Sequence, residues 1–198
     1  LRVVHHGVRV LPALQASAPA ATREAVILSV GTIQHRKNTA RLVRAFERLP
    51  EPWCLVLAGA PNGYGSEQAM EAVRSSPARH RIAVTGYVSP ERLGALYASA
   101  SVFAFPSLDE GFGMPVLEAM AYGVPVLAAN RSALPEVCGD AALMVDPASE
   151  EEIGEGLLKL TSDEALRQSL ATRGREHAAK FTWEKAARQT WQAYEELF

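Results

Sequence analysis

Short apolar runs alternate with amphipathic stretches along most of the chain, and the alternation is regular after residue 25. Apolar runs of strand length occupy residues 26–31, 53–59, 81–86, 101–107, 124–129 and 141–146. Apolar residues at helical spacing fill the intervals, at residues 38–49, 66–76, 89–100, 114–123 and 133–137. Strands that alternate with helices form βαβ units, and nearly continuous apolar strands are typical of a sheet covered on both faces. The pattern therefore predicts a doubly wound parallel α/β sheet of about six strands with helices on both faces.

The two ends of the chain depart from this alternation. Residues 149–198 predict a helical C-terminal tail with breaks near Asp163 and Thr182, whereas residues 11–25 are rich in Ala, Pro and Ser and predict a linker. We therefore divide the chain into a first segment with its linker, residues 1–25, and one domain, residues 26–198, whose length suits a single core. The chain does not begin with Met, and we expect it to be part of a longer protein.

Composition narrows the classes of function. The formal net charge is −2, so the sequence predicts no nucleic-acid partner. No apolar run reaches the ~18 residues that a membrane span requires. Cys54 and Cys138 lack metal-ligand spacing, and we expect small core residues in a reducing compartment rather than a metal site or a disulfide.

The residues that follow the predicted strands are the candidates for ligand binding, because open parallel sheets bind ligands outside the carboxyl ends of their strands. The first predicted strand ends at Gly31, which is followed by Thr32 and, just before the next helix, by Arg36 and Lys37. A glycine turn, two cations and a helix N-terminus favour a diphosphate group. A solvated basic turn explains the same residues equally well, and the glycine fingerprint of a dinucleotide site is absent.

The fourth predicted strand is followed by the densest set of such residues. Glu110 precedes two glycines, and Glu118 lies on the following helix. Carboxylates accept hydrogen bonds from the neighbouring hydroxyls of a sugar or ribose, while the amides of residues 112–114 suit an anion or a hydroxyl. Helix-terminal or solvated glutamates are the alternative. A glycosidase pair is disfavoured, because eight helical residues span ~12 Å, whereas such pairs lie ~5–9.5 Å apart.

Several motifs, taken in their order, resemble one known family. They are VGTIQHRKN, VLAGAPNG, VTGYVSPERLGALYASASVFAFPSLDEGFGMPVLEAMAYGVPV, LPEV and AALMVDP. The stretch from Glu110 to Glu118 resembles the E-x7-E signature of the family 4, or group 1, retaining glycosyltransferases. The resemblance covers residues 26 to about 185. It implies the C-terminal, donor-binding half of a GT-B enzyme, which is built from two Rossmann-like domains.

The resemblance implies roles for four side chains. Glu110 would contact hydroxyls of the donor sugar on the face opposite the leaving group, and Glu118 would bind the ribose hydroxyls of the nucleotide. Lys37 and Arg36 would neutralise the diphosphate and stabilise the charge that grows on the leaving group. Glu110, Lys37 and Arg36 are thus the predicted catalytic residues.

The resemblance also implies contacts made by the backbone. The amides of Phe112, Gly113 and Met114 would contact sugar and diphosphate, since Pro115 has no amide hydrogen. Val88 would meet the base through its backbone.

One position departs from the family pattern. Many members carry Gly-Arg after the first strand, where this chain has Gly31-Thr32. That arginine is missing, and Arg36 is the predicted replacement, as in relatives with the motif G-T-x-x-x-R-K-N. We predict that Gly31 and Thr32 bind substrate in the same turn.

The resemblance extends to donor, partner and location. It implies a metal-independent enzyme without a cofactor, consistent with the absence of an Asp-x-Asp sequence, and a GDP- or UDP-sugar donor, with GDP-mannose favoured. The acceptor, a carbohydrate or lipid-linked molecule, would bind an N-terminal domain, so this half alone is expected to be inactive. We expect a role in polysaccharide biosynthesis and a cytoplasmic location, or a peripheral one at the inner face of the membrane. Trp183 and Trp191 predict an apolar stripe on the last helix that could support self-association.

Three other functions are alternatives to a transferase. A non-catalytic nucleotide-sugar-binding module could keep every donor contact, so the sequence does not separate it from an enzyme. A GT-B nucleotide-sugar epimerase is disfavoured by the E-x7-E stretch. A nicotinamide dehydrogenase lacks its glycine fingerprint.

Overall fold

A computed structural model describes residues 2–8 and 23–196. Its centre is a six-stranded sheet in the order β3-β2-β1-β4-β5-β6, in which every neighbouring pair is parallel. This is the strand order of a Rossmann-like, doubly wound fold, with its topological switch point between β1 and β4. The strands are β1 (Glu24–Val30), β2 (Cys54–Ala58), β3 (Ile82–Val84), β4 (Ala100–Phe105), β5 (Val126–Ala129) and β6 (Ala142–Val145).

Eight α-helices accompany the sheet in the described part of the chain. They are α1 (Thr39–Phe46), α2 (Ser66–Ser75), α3 (Pro90–Ser99), α4 (Met114–Ala121), α5 (Leu134–Cys138), α6 (Glu150–Ser162), α7 (Glu164–Ala178) and α8 (Trp183–Glu195). Short 3-10 turns lie at His35–Lys37 and Arg79–Arg81. The predicted fold class is confirmed, and each predicted strand and helix is present within a few residues of its predicted bounds.

Side-chain caps explain why the predicted breaks fall where they do. The Ser89 hydroxyl accepts from the amide of Arg92 at the start of α3, with Pro90 in the first turn. Asp163 accepts from the amide of Leu166 at 2.8 Å and begins α7. Thr182 accepts from the amide of Lys185 at 3.1 Å and begins α8. Each cap satisfies an amide that the first helical turn leaves unpaired.

The core consists of two apolar layers, one on each face of the sheet. Ile27 packs with α1, α2 and α6, whereas its neighbour Leu28 packs with α3, α4 and α5. Successive strand residues point to opposite faces, and so the central strands serve both layers. All six residues of β4 are buried, as expected for a central strand of a doubly covered sheet.

The N-terminal segment, residues 2–8, packs against the start of α8. The amide of Val8 donates to the Phe181 carbonyl at 2.9 Å, and a Cβ on Gly7 would overlap the backbone of Thr182 and Trp183. Strand β1 begins at Glu24, inside the predicted linker, while residues 9–22 lie outside the described residues. The division of the chain at residue 25 stays a prediction.

The last helix presents large aromatic side chains to solvent. Trp183 is 53 % exposed, Trp191 64 % and Tyr194 55 %. The predicted apolar stripe therefore exists, and these two tryptophans are not core residues of this domain. In the described part of the chain, no helix combines the length and apolar character needed to cross a membrane.

Candidate functional site

The turn after β1 brings Lys37 back over the end of the sheet. Gly31 has φ +134°, a value that residues with a side chain rarely adopt. A Cβ at this position would lie 3.1 Å from Cε of Lys37, so the glycine leaves room for the lysine. Thr32, predicted to bind substrate, is exposed beside this turn.

Lys37 and Arg36 converge on one carboxylate. Nζ of Lys37 lies 2.6 Å from Oε1 of Glu110, and a guanidinium nitrogen of Arg36 lies 2.9 Å from its Oε2. Arg36 also donates to the Asp109 carbonyl at 3.1 Å. Side-chain exposure is 8 % for Glu110, 12 % for Lys37 and 44 % for Arg36. The structure therefore joins the three predicted catalytic residues in one largely buried cluster with two cations and one anion.

Burial dominates the electrostatics of Lys37. It lowers the pKa of the Lys37 ammonium below its usual value, and the hydrogen bond and charge of Glu110 partly oppose that shift. The ammonium also lies 4.3 Å from the centroid of the Phe105 ring, a cation–π contact. An anion that approached this cluster would face an excess of one positive charge with little water to screen it.

Asn38 ties the cationic turn to two strand ends, a function that we did not predict. Its side-chain amide donates to the carbonyls of Pro106 at 2.9 Å and Pro147 at 2.8 Å, and its oxygen accepts from Arg41 at 2.6 Å. Asn38 stands at the first position before α1, but its side chain makes no capping hydrogen bond there. Its φ of 60° places it in the left-handed region that asparagine tolerates better than most residues.

The turn before α4 is shaped by Gly113. The residue has φ +106°, and a Cβ there would lie 2.7 Å from Cδ2 of Leu134. The amides of Gly113 and Met114 belong to the start of the helix, where no intrahelical acceptor exists. Phe112 is half-buried against the rings of His5 and His6, at 6.0 and 5.1 Å between centroids.

Glu118 occupies a different environment from Glu110. The Tyr97 hydroxyl donates to Oε2 of Glu118 at 2.9 Å. Burial raises the pKa of the Glu118 carboxyl, and the bond from Tyr97 acts against that rise. Both residues line a cavity of about 410 Å³, whose walls are Pro90, Glu91, Leu93, Gly94, Tyr97, Glu118 and Tyr122.

Val88, the last of the predicted site residues, and Ser132, which was not predicted, belong to loops beside the helices of the site. Val88 is half-buried and directly precedes Ser89, the cap of α3, and Pro90 and Glu91 of that helix line the Glu118 cavity. Ser132, which has φ 56°, donates to Asp109 at 2.6 Å and so connects the β5 loop to the residue beside Glu110. Among the described residues, no group of three or more histidine, cysteine, aspartate or glutamate side chains could hold a metal ion.

Two supporting residues, Asn38 and Tyr97, were missed by sequence reasoning. Asn38 follows Lys37 directly and could have been suspected from that position. Tyr97 lies in an ordinary apolar helix pattern, and nothing in the sequence indicates that its hydroxyl reaches Glu118 across 21 residues.

Comparison with known proteins defines the class to which this fold and site belong. Residues 12–177 match the family model of glycosyl transferases group 1, and the chain belongs to this family. The resemblance that the motifs indicated is thereby confirmed.

Three known proteins show how similar the chain is to individual sequences and structures. The O-antigen chain mannosyltransferase B of Escherichia coli is 38% identical over 174 residues, which cover 86% of this chain and 45% of that protein. Sucrose-phosphate synthase from Thermosynechococcus elongatus superposes with a TM-score of 0.84 at 27% identity, over 100% of this chain and 52% of the other. The Anabaena protein HepE in complex with UDP superposes with a TM-score of 0.85 at 18% identity, over 98% of this chain and 57% of the other, and shares the fold.

The coverage values describe a partial match to longer proteins. The chain spans about half the length of these relatives, and it corresponds to their C-terminal part.

Proposed function

We propose that this chain is the donor-binding half of a retaining glycosyltransferase that moves a sugar from a nucleoside diphosphate to an acceptor. The observation that carries the proposal is the cluster of Glu110, Lys37 and Arg36 at the carboxyl edge of the sheet. A carboxylate held by two cations beside a helix N-terminus provides both an acceptor for hydroxyls and donors for phosphate.

Binding of the donor exchanges partners within this cluster. The diphosphate takes hydrogen bonds from Lys37 and Arg36, and Glu110 is released to accept hydrogen bonds from hydroxyls of the donor sugar. When the bond between the sugar and the diphosphate breaks, negative charge grows on the departing phosphate. The buried ammonium of Lys37 stabilises that charge more strongly than it could in water, so the reaction needs no metal ion and no cofactor.

The second half of the donor site is the cavity at Glu118. Its carboxylate accepts hydrogen bonds from the ribose hydroxyls, and the backbone near Val88 meets the base. We infer that the amides of Phe112, Gly113 and Met114 contact sugar and diphosphate and that Gly31 and Thr32 bind the same substrate.

The names of the relatives support one choice of donor and pathway. Because a relative of 38% identity is a mannosyltransferase for O-antigen chains, we favour GDP-mannose as donor and polysaccharide synthesis as pathway. The acceptor binds the N-terminal part of the longer protein, and the present half alone does not transfer sugar. The enzyme works in the cytoplasm, or peripherally at the inner face of the membrane.

Calorimetric titration of the chain with GDP, UDP, GDP-mannose and UDP-glucose tests the proposal. One nucleotide series is expected to bind, and Lys37→Ala and Glu118→Ala are each expected to weaken binding about tenfold or more, because each removes a hydrogen bond involving a charged group.

Lys159→Ala and Glu155→Ala are the matched controls, since both residues are exposed on α6. They should bind like the unmodified chain. Equal affinity of the two site variants and the controls would contradict the proposal, as would the absence of binding to all four ligands.

A further inference from the structure

The ring of Tyr97 is fixed in the core beneath Glu118. The residue is 1 % exposed. Its ring stacks on Tyr122 with centroids 5.4 Å apart and tilts against Phe103 at 5.8 Å. Aromatic neighbours on two sides leave the ring little rotational freedom, so its hydroxyl has a defined position.

The Tyr97 hydroxyl is a permanent donor. Burial and the neighbouring Glu118 carboxylate raise the pKa of the phenol well above its usual value, and the group keeps its proton. Its single proton has two acceptors within reach, Oε2 of Glu118 at 2.9 Å and the Pro115 carbonyl at 3.4 Å. The shorter contact, to a charged acceptor, is the stronger one.

The bond restricts the carboxylate of Glu118. Glutamate has three side-chain torsions, and an untethered carboxylate at the wall of a 410 Å³ cavity would sample several orientations. A donor on Oε2 selects one of them. A carboxylate has about four lone-pair sites, so Glu118 keeps acceptor capacity for a ligand beside its bond from Tyr97.

We propose that Tyr97 is a positioning residue that orients Glu118 and thereby sets the preference of the site for ribonucleotides over 2′-deoxyribonucleotides. The inference rests on the proposed function, in which Glu118 accepts from ribose hydroxyls. Tyr97 touches no ligand itself. It acts by reducing the orientational freedom that Glu118 would otherwise lose on binding.

The test is titration of the chain and its Tyr97→Phe variant with GDP, 2′-deoxy-GDP, UDP and 2′-deoxy-UDP. The unmodified chain should prefer the ribonucleotide about tenfold or more, the effect expected when a charged hydrogen bond is lost. In Tyr97→Phe, this preference should fall to about threefold or less, because ribonucleotide affinity drops more than the affinity of the deoxyribonucleotide, which keeps only the 3′-hydroxyl contact with Glu118. In Glu118→Ala, the added Tyr97→Phe change should have no further effect.

The pH dependence of ribonucleotide affinity is a second test. The ionisable residues that line the cavity are Glu91 and Tyr97 from α3, Glu118 from α4, and Tyr122 directly after α4. The Tyr97 bond lowers the pKa of the Glu118 carboxyl, so its removal must raise that pKa. The loss of ribonucleotide affinity on acidification should therefore begin at higher pH in Tyr97→Phe. The deoxyribonucleotide, measured over the same range, corrects for protonation of the phosphates.

Tyr194→Phe, the same chemical change on exposed α8, is the control, and thermal unfolding verifies that each variant is folded. A chain that binds no nucleotide would overturn the proposed function and this inference with it. A Tyr97→Phe variant with an unchanged ribose preference would overturn this inference alone. An equal loss for ribo- and deoxyribonucleotides would show that Tyr97 only supports the fold, and would overturn it too.

Discussion

At the scale of single residues, Glu110 is the centre of the candidate site because its carboxylate contacts both cations, Lys37 and Arg36. Its two oxygens contact Lys37 and Arg36 at 2.6 and 2.9 Å, and its side chain is only 8 % exposed. A buried carboxylate with two partners lowers the cost of holding two cations together. The same carboxylate competes with any phosphate for those cations.

Replacement of Glu110 by Gln should therefore separate nucleotide binding from sugar binding. The amide has the same shape without the charge, and it no longer competes for Lys37 and Arg36. We expect nucleoside diphosphate to bind up to about tenfold more tightly, which corresponds to about 1.4 kcal/mol, while the extra affinity for the nucleotide sugar is lost. Calorimetry with the nucleoside diphosphate and its sugar conjugate measures both effects. Weaker binding of the plain diphosphate would contradict the competition between Glu110 and phosphate.

The pKa of Lys37 makes a prediction about alkaline pH. Diphosphate binding needs the charged ammonium, so it is fully present below the pKa of Lys37 and is lost as pH rises through it. Burial lowers the pKa of the Lys37 ammonium from its ordinary value, so affinity should begin to decline at a pH where an exposed lysine would still be fully charged. In Lys37→Arg, which stays charged, the profile should be flat over the same range. A decline of equal size in both proteins would assign it to another group.

At the scale of elements, the turn between β1 and α1 depends on side-chain hydrogen bonds rather than on helix capping. Asn38 joins three segments, since its amide reaches the carbonyls of Pro106 and Pro147 while its backbone takes a left-handed conformation. These contacts hold the turn that carries Lys37 against the end of β4. The turn between β1 and α1 is therefore positioned by partners of Asn38 that are 68 and 109 residues away in the chain.

Replacement of Asn38 by Ala should cost about 2–4 kcal/mol of the free energy of unfolding. It removes the side-chain donor of the buried Pro106 carbonyl, leaves the Pro147 carbonyl with Arg41 as its side-chain donor, and places alanine at positive φ. Urea unfolding measures the change, and Asn62→Ala, at an exposed asparagine in the loop after β2, is the control. If Asn38→Ala lowers the free energy of unfolding no more than the control does, water must hydrogen-bond to the Pro106 and Pro147 carbonyls as well as the Asn38 amide does.

At the scale of the whole molecule, contacts of residues 2–8 connect the candidate site with the exposed aromatic side chains of α8. The N-terminal segment packs on the start of α8 through Val8 and Phe181, and His6 lies between Phe112 and Trp183, at 5.1 and 5.9 Å between ring centroids. Residues 2–8 thus contact both the turn before α4 and the last helix.

The exposed rings of α8 predict association at high concentration. Trp183, Trp191 and Tyr194 are each more than half exposed, and contiguous apolar surface favours contact with another surface. We expect the chain to self-associate in sedimentation experiments at micromolar concentrations, and Trp191→Ser to shift the equilibrium towards monomer. Tyr64→Ser, which removes another exposed ring outside α8, should leave association unchanged. A monomer at every concentration would contradict a contact through this helix.

The amino-acid sequence by itself determined the class of fold, the order of the elements and the identity of the charged candidates. Hydrophobic periodicity and capping residues are local signals, and the breaks at Asp163 and Thr182 could be located from them. Glu110, Glu118 and Lys37 could be selected because they follow strand ends or lie in a motif. Their roles as ligands stay a prediction.

Only the tertiary structure decided how these residues are arranged. Glu110 pairs with Lys37 and Arg36, 73 and 74 positions earlier in the chain. Glu118 is held by Tyr97, so two glutamates of one motif lie in two different environments. Asn38 makes its contacts only when β4 and β6 lie beside the turn. Such pairings depend on long-range packing of the sheet and its helices, and a short window of sequence contains no information about the partner that packing brings near.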